Sequence, residues 1–499
     1  MSLLRVFAAL ALTSSASLAE PPLRLPRSAP EEQGVSSSAL LRFVNAAEKR
    51  VDALHSFMVL RHGHVVAEGW WTPYAAGEPH QLYSLSKSFT STAVGLAVAE
   101  GKLSVNDPVL SFFPEEAPAY PTKNLKAMRV RDLLRMATGH RAEAIHPFPF
   151  DSKADLVRVF LELPVEDKPG THFVYNTPGT YMLSAIVQKV TGQTVLDYLK
   201  PRLFDPLGIE NPTWDASAQG ISIGGLGLSL RTEDIACFGQ LYLQKGQWHG
   251  KQLIPAAWIE QATSLQIANG SDPDSDWDQG YGYQFWRCRH GFYRGDGAFG
   301  QYCLVLPQLD TVIAMTSASR NIQSILDCVW DELLPALKDG TLPADAEGDQ
   351  ALVEKLGRLS LPTVAGEASS TTAAKIAGRR YAFPENSSHV EWVAFEPPGE
   401  NGQVVMRARV GGFESRVVYG HGSWVKGTLD GGPMGPVRIA ACGAWTSADT
   451  FTAKICRYRT PYLTNYDVRF AGDSMIIDAE DNVNLDEVSR VRFIGKAEP

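Results

Sequence analysis

The sequence has little of what polyanion-binding and metal-dependent proteins need. Its 46 basic side chains are outnumbered by 55 acidic ones, which leaves a net charge of −9 over 499 residues. Without a basic excess there is no reason to expect nucleic acid or an anionic membrane as a partner. His-Glu-x-x-His and paired Cys-x-x-Cys spacings are also missing, so we expect no metal and no other cofactor. Beyond the N-terminus, no stretch approaches the roughly 18 to 20 apolar residues of a membrane-spanning helix.

Cysteine is scarce as well. The chain contains six: Cys237, Cys288, Cys303, Cys328, Cys442 and Cys456. An even number in an exported chain permits disulfides, and Cys442 with Cys456, or Cys288 with Cys303, would face each other across a hairpin. Buried free thiols are the alternative, because connectivity cannot be read from a sequence.

The N-terminus has the pattern of a secretory signal. Arg5 precedes an apolar run that ends at Leu12, and Ser17-Leu18-Ala19 supplies a small-x-small cleavage site. We therefore expect residues 1–19 to be removed and the protein to be exported to the periplasm or the extracellular space. An uncleaved membrane anchor is the alternative.

Length and composition predict two domains after this signal. The chain is 44% hydrophobic and 20% charged, which is typical of globular proteins. Residues 20–338 mix helical patterns with β-rich runs, among them a hairpin that turns at His62-Gly63. Residues 339–372 are rich in Gly, Pro, Ser, Thr, Ala and Glu and predict a linker. Short alternating runs in residues 373–499 predict a β-sandwich or β-barrel.

The stretch from Leu82 to Glu100 carries the strongest chemical signal. Ser84 and Lys87 stand at the start of a helix of small and apolar residues, where residues three apart share a face. Serine becomes a nucleophile when a base takes its proton, and lysine serves when burial lowers its pKa. The N–H groups at a helix start also suit a developing oxyanion. Such a short motif arises by chance too, and Ser423 with Lys426 is a second match in a strand-like stretch.

Tyr83-Ser84-Leu85-Ser86-Lys87-Ser88 resembles the nucleophile segment of the serine β-lactamase/penicillin-binding-protein superfamily. It is most similar to the class C β-lactamase-like esterases and 6-aminohexanoate-dimer hydrolases. The resemblance covers about residues 30–338. It implies a mixed α/β (α+β) fold of the β-lactamase/transpeptidase type, in which helices flank an antiparallel sheet and add a helical subdomain. The C-terminal β domain resembles the lipocalin-like appendages of some family members.

A second motif of this family, Tyr-x-Asn, has its counterpart at Tyr175. The resemblance implies that Tyr175 acts as a base, or relays a proton between Lys87 and Ser84, if a nearby ammonium lowers its pKa. Thr177 stands where the family has Asn, and Asn176, one place early, is our candidate for the substrate-binding amide. Whether Lys87 or Tyr175 is the base cannot be decided from the sequence.

The third motif of the family, Lys-Thr-Gly, corresponds here to Gly295-Asp296-Gly297. We expect Gly295, Gly297 and Ala298 to form the oxyanion and substrate-binding wall, where the Ala298 N–H acts beside that of Ser84. The missing lysine removes a charge-assisted hydrogen bond to an anionic substrate, and Asp296 would repel that substrate.

These features predict an exported serine hydrolase that cleaves a small-molecule ester or amide through an acyl-enzyme. One alternative is a β-lactamase or D-amino-acid peptidase, which Gly295 disfavours. The other is a catalytically inactive binding module of the same fold, which the altered second and third motifs favour. The oligomeric state cannot be read from the sequence.

Overall fold

The computed structural model describes residues 25–143, 148–150, 152–397, 403–431, 435–485 and 490–499. The predicted signal, residues 1–19, lies outside these ranges. Within them, no helix is both long and apolar enough to span a membrane. Two antiparallel sheets dominate the fold, one in each of the predicted domains.

Helices occur mainly in the N-terminal part of the chain. They are α1 (Ser37–Arg50), α2 (Ser86–Ala99), α3 (Lys123–Ala127), α4 (Val130–Leu134), α5 (Leu156–Glu162), α6 (Thr177–Thr191), α7 (Val195–Leu199), α8 (Thr232–Leu243), α9 (Ala256–Thr263), α10 (Gln323–Cys328), α11 (Ala346–Leu356) and α12 (Thr371–Ile376).

The first sheet has six strands in the order β2-β1-β11-β10-β9-β8. Its strands are β1 (Leu54–Arg61), β2 (His64–Trp70), β8 (Trp286–Arg287), β9 (Tyr293–Gly297), β10 (Gln301–Leu306) and β11 (Thr311–Ser317). The predicted hairpin at His62-Gly63 is confirmed, since it joins β1 to β2. Short pairs outside this sheet are β3 (His80–Gln81), β4 (Thr213–Trp214), β5 (Leu228–Leu230), β6 (Gln247–Trp248) and β7 (Lys251–Gln252).

Both faces of the first sheet are covered by helices. On β1, Met58 and Leu60 belong to the same apolar cluster as residues of α2 and α8. Phe57 and Val59 belong to a second cluster with residues of α1 and α10. Because successive strand side chains point to opposite faces, a strand between two helical layers is buried along its whole length. The predicted helix-flanked antiparallel sheet is therefore confirmed.

The C-terminal part forms a ten-stranded sheet that curls into a near-barrel. Its strands are β12 (Arg380–Ala382), β13 (Val390–Phe395), β14 (Val404–Val410), β15 (Phe413–Tyr419), β16 (Val425–Leu429), β17 (Val437–Trp445), β18 (Thr450–Cys456), β19 (Leu463–Ala471), β20 (Ser474–Asp481) and β21 (Arg490–Ala497). Aromatic side chains, among them Trp445, Phe451 and Phe470, pack together in its core. The predicted all-β class of this part is confirmed.

The segment predicted as a linker lies against the first sheet's helices. Its helix α11 buries Leu352 in the cluster that contains residues of α1. The Ser38 hydroxyl donates a hydrogen bond to Asp345 over 3.0 Å, and Lys355 lies 2.5 Å from Glu48. Residues 339–372 are therefore docked on the N-terminal part over much of their length.

Of the two alternatives for the cysteines, disulfides or buried free thiols, the structure shows the second. All six are buried free thiols. Cys442 lies opposite Lys454 in the β17–β18 ladder, and Cys456 lies opposite Ala440, so the two thiols do not face each other. Cys303 lies opposite Gly295 rather than Cys288.

Two buried histidines meet where β1 begins. His55 Nδ1 and His80 Nε2 are 3.1 Å apart, and His80 Nδ1 lies 2.9 Å from the carbonyl oxygen of Gln81. The network is satisfied when both rings are neutral, since His80 then donates to Gln81 and accepts from His55. Burial lowers the pKa of His80 to about 4 and that of His55 well below its ordinary value.

We predict that this histidine pair makes the fold acid-sensitive. Below the ordinary histidine pKa of about 6.5, both histidines bind protons in the unfolded chain but stay neutral in the native state. Native stability should therefore fall as the pH drops from about 6.5 towards 4, by up to about 1.4 kcal/mol per pH unit for each histidine.

The measurement is the melting temperature of the wild type, His80→Gln and a control variant across this pH range. His80→Gln should flatten the pH dependence, whereas His62→Gln, at an exposed turn, should leave it as in the wild type. Equal pH dependence in all three proteins would contradict the assignment.

Candidate active site

Ser84 and Lys87 lie side by side at the entrance to α2. Ser84 is in a 3-10 turn, Tyr83–Leu85, that runs directly into this helix, and Lys87 is in the helix's first turn. Lys87 Nζ is 2.9 Å from Ser84 Oγ. The predicted contact between nucleophile and amine is thus present.

The second Ser-x-x-Lys match has no such geometry. Ser423 is exposed in the loop before β16. Lys426 lies over the ring of Tyr458 and 3.9 Å from a carboxylate oxygen of Glu78. Its amine is therefore engaged elsewhere.

Lys87 is almost completely enclosed, with 1% of its surface exposed. Its amine also contacts Thr177 Oγ1 at 3.2 Å and the Gly225 carbonyl oxygen at 2.7 Å. Burial lowers the pKa of Lys87 to about 7, although the carboxylates of Glu143 and Asp296 oppose this shift. Both charge states are consequently populated near neutral pH, which suits a general base.

Tyr175 completes the group around Ser84. Its ring stacks on Trp286, with the ring centroids 5.6 Å apart, and Lys87 Nζ lies 4.9 Å from its ring centroid. Burial raises the pKa of Tyr175 above its ordinary value, although interaction with Ser84 acts to lower it. The raised pKa therefore favours the second of the two implied roles, in which the neutral phenol relays a proton, over that of a base.

Asn176 has a structural task that differs from the predicted substrate contact. It is the N-cap of α6, where its Oδ1 accepts the Gly179 N–H over 2.8 Å. Its amide nitrogen is 3.3 Å from the Thr138 hydroxyl, and the side chain is fully buried. Helix capping occupies its oxygen, and Thr138 and His140 are the partners of its amide nitrogen, so both polar atoms are already engaged.

Thr177, one residue later, reaches the site instead. Its hydroxyl donates to Glu143 over 3.0 Å and accepts from Lys87. A continuous hydrogen-bonded path therefore runs from Ser84 through Lys87 and Thr177 to the carboxylate of Glu143. Glu143 was missed in the sequence because no motif marks it.

The residues of the third motif have two environments. The two glycines pack against the turn that carries Ser84, and Asp296 lines the cavity above that turn. A Cβ atom on Gly295 would lie 2.3 Å from Leu85 Cδ1, and one on Gly297 would lie 2.2 Å from the Leu82 carbonyl oxygen. These glycines thus let β9 lie directly against the turn that carries Ser84, and their predicted role as substrate contacts stays a prediction. Ala298 and Asp296 do line the cavity.

Asp296 is held by a buried cation. Arg294 Nε is 2.8 Å from Asp296 Oδ2, and Arg294 has no exposed surface. Burial raises the pKa of Asp296, while Arg294 opposes that shift. The buried Arg294 guanidinium therefore compensates the negative charge of the Asp296 carboxylate.

A cavity of about 820 Å³ opens above Ser84. Its polar wall includes Tyr175, Thr177, Asp296 and Glu143. Its apolar wall includes Phe148, Phe150, Trp277, Trp286 and, from the C-terminal part, Leu485. Among the described lining residues there is no Lys or Arg. A largely apolar pocket with few convergent polar groups is typical of a small-molecule site.

Comparison with known proteins agrees with this arrangement. Residues 47–324, more than half of the chain, match the family model described as Beta-lactamase. The chain is similar to the 6-aminohexanoate-dimer hydrolase of Paenarthrobacter ureafaciens, with 25% identity over 319 residues, 58% of this chain and 79% of that protein.

Two further similarities are more distant. A "Putative D-alanyl-D-alanine carboxypeptidase" of Salmonella schwarzengrund is 23% identical over 227 residues, 40% of this chain and 52% of that protein, so the chain spans about half of it. The structure resembles EstCE1, described as a hydrolase with promiscuous acyltransferase activity, with a TM-score of 0.50, 16% identity, and coverage of 59% of this chain and 98% of that one. At this identity the likeness shows the fold alone.

The match over residues 47–324 shows that the chain belongs to the beta-lactamase family of serine hydrolases.

Proposed function

We propose that the protein hydrolyses a small-molecule carboxylic ester or amide through an acyl-enzyme on Ser84. The observation that carries this proposal is the 2.9 Å contact between Ser84 Oγ and the buried amine of Lys87. A lysine whose pKa is lowered to about 7 is the base that a serine nucleophile needs at neutral pH.

The proposed reaction has two steps. Neutral Lys87 takes the Ser84 proton as Oγ attacks the substrate carbonyl carbon, and the N–H groups of Ser84 and Ala298 stabilise the oxyanion. The carbon–leaving-group bond then breaks, and the proton passes from Lys87 through the Tyr175 hydroxyl to the departing alcohol or amine. Water attacks the acyl-enzyme in the same way and releases the acid and free Ser84.

The groups around the cavity support a neutral substrate. Glu143 and Asp296 line it, and the described lining residues include no Lys or Arg to pair with a carboxylate. A substrate carboxylate would lose its water there without a charge-assisted partner in return. This disfavours the β-lactamase and D-amino-acid peptidase alternatives, and hydrolysis of a chromogenic cephalosporin at a rate comparable with a neutral ester would restore them.

We further propose that the protein is exported, on the basis of the signal-like pattern in residues 1–19. Detection of the full-length chain only in the cytoplasmic fraction of its host would contradict this.

Replacement of the nucleophile tests the proposed chemistry directly. Ser84→Ala should reduce both labelling by a fluorophosphonate probe and hydrolysis of p-nitrophenyl butyrate by at least about 10³-fold. Ser423→Ala, the matched change in the second Ser-x-x-Lys motif, should leave both rates unchanged. Hydrolysis that survives in Ser84→Ala would exclude Ser84 as the nucleophile, and a wild type without either reaction would favour the inactive binding module.

The charge state of Lys87 predicts the pH dependence of acylation. Because only the neutral amine accepts a proton, the labelling rate should rise with pH through about 7 and then level off. Glu143→Gln removes a carboxylate that raises the pKa of Lys87. The rising limb of the labelling rate plotted against pH should therefore move to lower pH in this variant.

The control is Glu115→Gln, which makes the same charge change at an exposed site. It should leave the limb in place in the same labelling assay. A limb that moves equally in both variants would show that only the overall charge of the protein matters.

A further inference from the structure

Three aromatic side chains meet between the nucleophile turn and the C-terminal barrel. We call Tyr83, Phe299 and Tyr462 the aromatic junction. The ring centroids of Tyr83 and Phe299 are 5.3 Å apart, and Tyr462 of the barrel lies 6.5 Å from the first and 6.0 Å from the second. Tyr83 also donates a hydrogen bond from its hydroxyl to that of Tyr462 over 2.5 Å.

The two junction residues of the N-terminal part have an unusual backbone. Tyr83 has a φ of 48° and Phe299 a φ of 65°. This left-handed region is disfavoured for bulky side chains and persists only where neighbouring groups enforce it. Tyr83 immediately precedes Ser84, and Phe299 immediately follows Ala298. The two enforced residues therefore flank the two proposed oxyanion N–H groups.

The described hydrogen bonds hold Phe299 within its own domain and Tyr83 from both parts of the molecule. The Phe299 carbonyl oxygen accepts from Ser317 Oγ at 2.6 Å and from the Ser319 N–H at 3.1 Å. The Tyr83 carbonyl oxygen accepts from Ser86 Oγ at 2.6 Å, while its hydroxyl donates to Tyr462. The C-terminal domain thus supplies the partner of the Tyr83 side chain, beside the backbone contact that the N-terminal part provides.

Tyr462 is itself firmly placed. Its carbonyl oxygen accepts the Arg457 N–H over 3.0 Å, and the Arg457 guanidinium lies 5.1 Å from its ring centroid. Val483, from the loop after β20, packs in the same apolar cluster and is 1% exposed. Residues from two loops of the C-terminal domain therefore pack together at the aromatic junction.

We propose that Tyr462 is a positioning residue for the reaction: by holding Tyr83 and Phe299, it keeps the Ser84 and Ala298 N–H groups converging on one oxyanion. This inference rests on the proposed acyl-enzyme function. Tyr462 touches no reacting atom; it acts through the two residues that flank the donors. A displacement of about 1 Å at such a site costs on the order of 10²-fold in rate.

The test compares Tyr462→Ala with Tyr462→Phe in the full-length protein. Tyr462→Ala should lower kcat for p-nitrophenyl acetate, and the rate of fluorophosphonate labelling, by about 10- to 100-fold. KM should change less than about threefold, because an oxyanion contact forms in the transition state. Tyr462→Phe keeps the ring contacts but removes the partner of the Tyr83 hydroxyl, so its rate should lie between those of Tyr462→Ala and the wild type.

Trp424→Ala is the matched control for simple loss of an aromatic contact between the two parts. Trp424, also in the barrel domain, donates its indole N–H to the Leu361 carbonyl oxygen over 3.1 Å, away from the aromatic junction. Trp424→Ala should lower the melting temperature, as Tyr462→Ala should, while its kcat stays within about twofold of the wild-type value. An equal loss of kcat in both variants would reduce Tyr462 to a general stability role.

The outcomes separate this inference from the proposed function. If the wild type is labelled and Tyr462→Ala reacts at the wild-type rate, the positioning role is wrong and the serine chemistry stands. If the wild type is not labelled, the proposed function fails, and a crystal structure of Tyr462→Ala decides the positioning role. It should show Tyr83 outside the left-handed region; an unchanged Tyr83 backbone would overturn the inference.

Discussion

The proposed chemistry depends on one contact, between the buried amine of Lys87 and the hydroxyl of Ser84. In water a lysine amine is protonated and cannot act as a base at neutral pH. Enclosure lowers its pKa to about 7, and two nearby carboxylates limit that shift. The amine is consequently poised between its two charge states beside the nucleophile. Burial raises the pKa of Tyr175, which fits its proposed role as the group that passes the proton onward.

Close packing maintains that contact. From Ser86 to Ala97 every residue of α2 is buried, so the helix that carries Lys87 has no solvent-facing side on which to shift. Gly295 and Gly297 allow β9 to approach the nucleophile turn to distances that a Cβ atom would forbid. Near Lys87, Gly225 does the same: a Cβ atom there would lie 2.8 Å from Thr177 Cγ2. The third motif thus serves the site through its backbone, even though its lysine is absent.

Local patterns predicted much of this site and fold. Three-residue spacing placed Lys87 beside Ser84, and strand and turn chemistry predicted the hairpin and the all-β class of the C-terminal part. The features that the sequence did not reveal have physical causes. Asn176 matched a motif letter but occupies a helix cap, and Gly295 and Gly297 lie on the packing side of β9. Glu143 and Tyr462 could not be found from the sequence, because their importance arises from contacts between segments far apart in the chain. Burial decided the state of Tyr175, and burial is a tertiary property.

The most direct measurement is the crystal structure of the protein after reaction with a phosphonate inhibitor, whose tetrahedral phosphorus stands in for the attacked carbonyl carbon. The account predicts a bond from Ser84 Oγ to phosphorus, with the phosphoryl oxygen accepting hydrogen bonds from the N–H groups of Ser84 and Ala298. It also predicts that the Lys87 amine and the Tyr175 hydroxyl remain within hydrogen-bonding reach of Ser84 Oγ. An adduct on another residue, or a phosphoryl oxygen turned towards solvent, would contradict it.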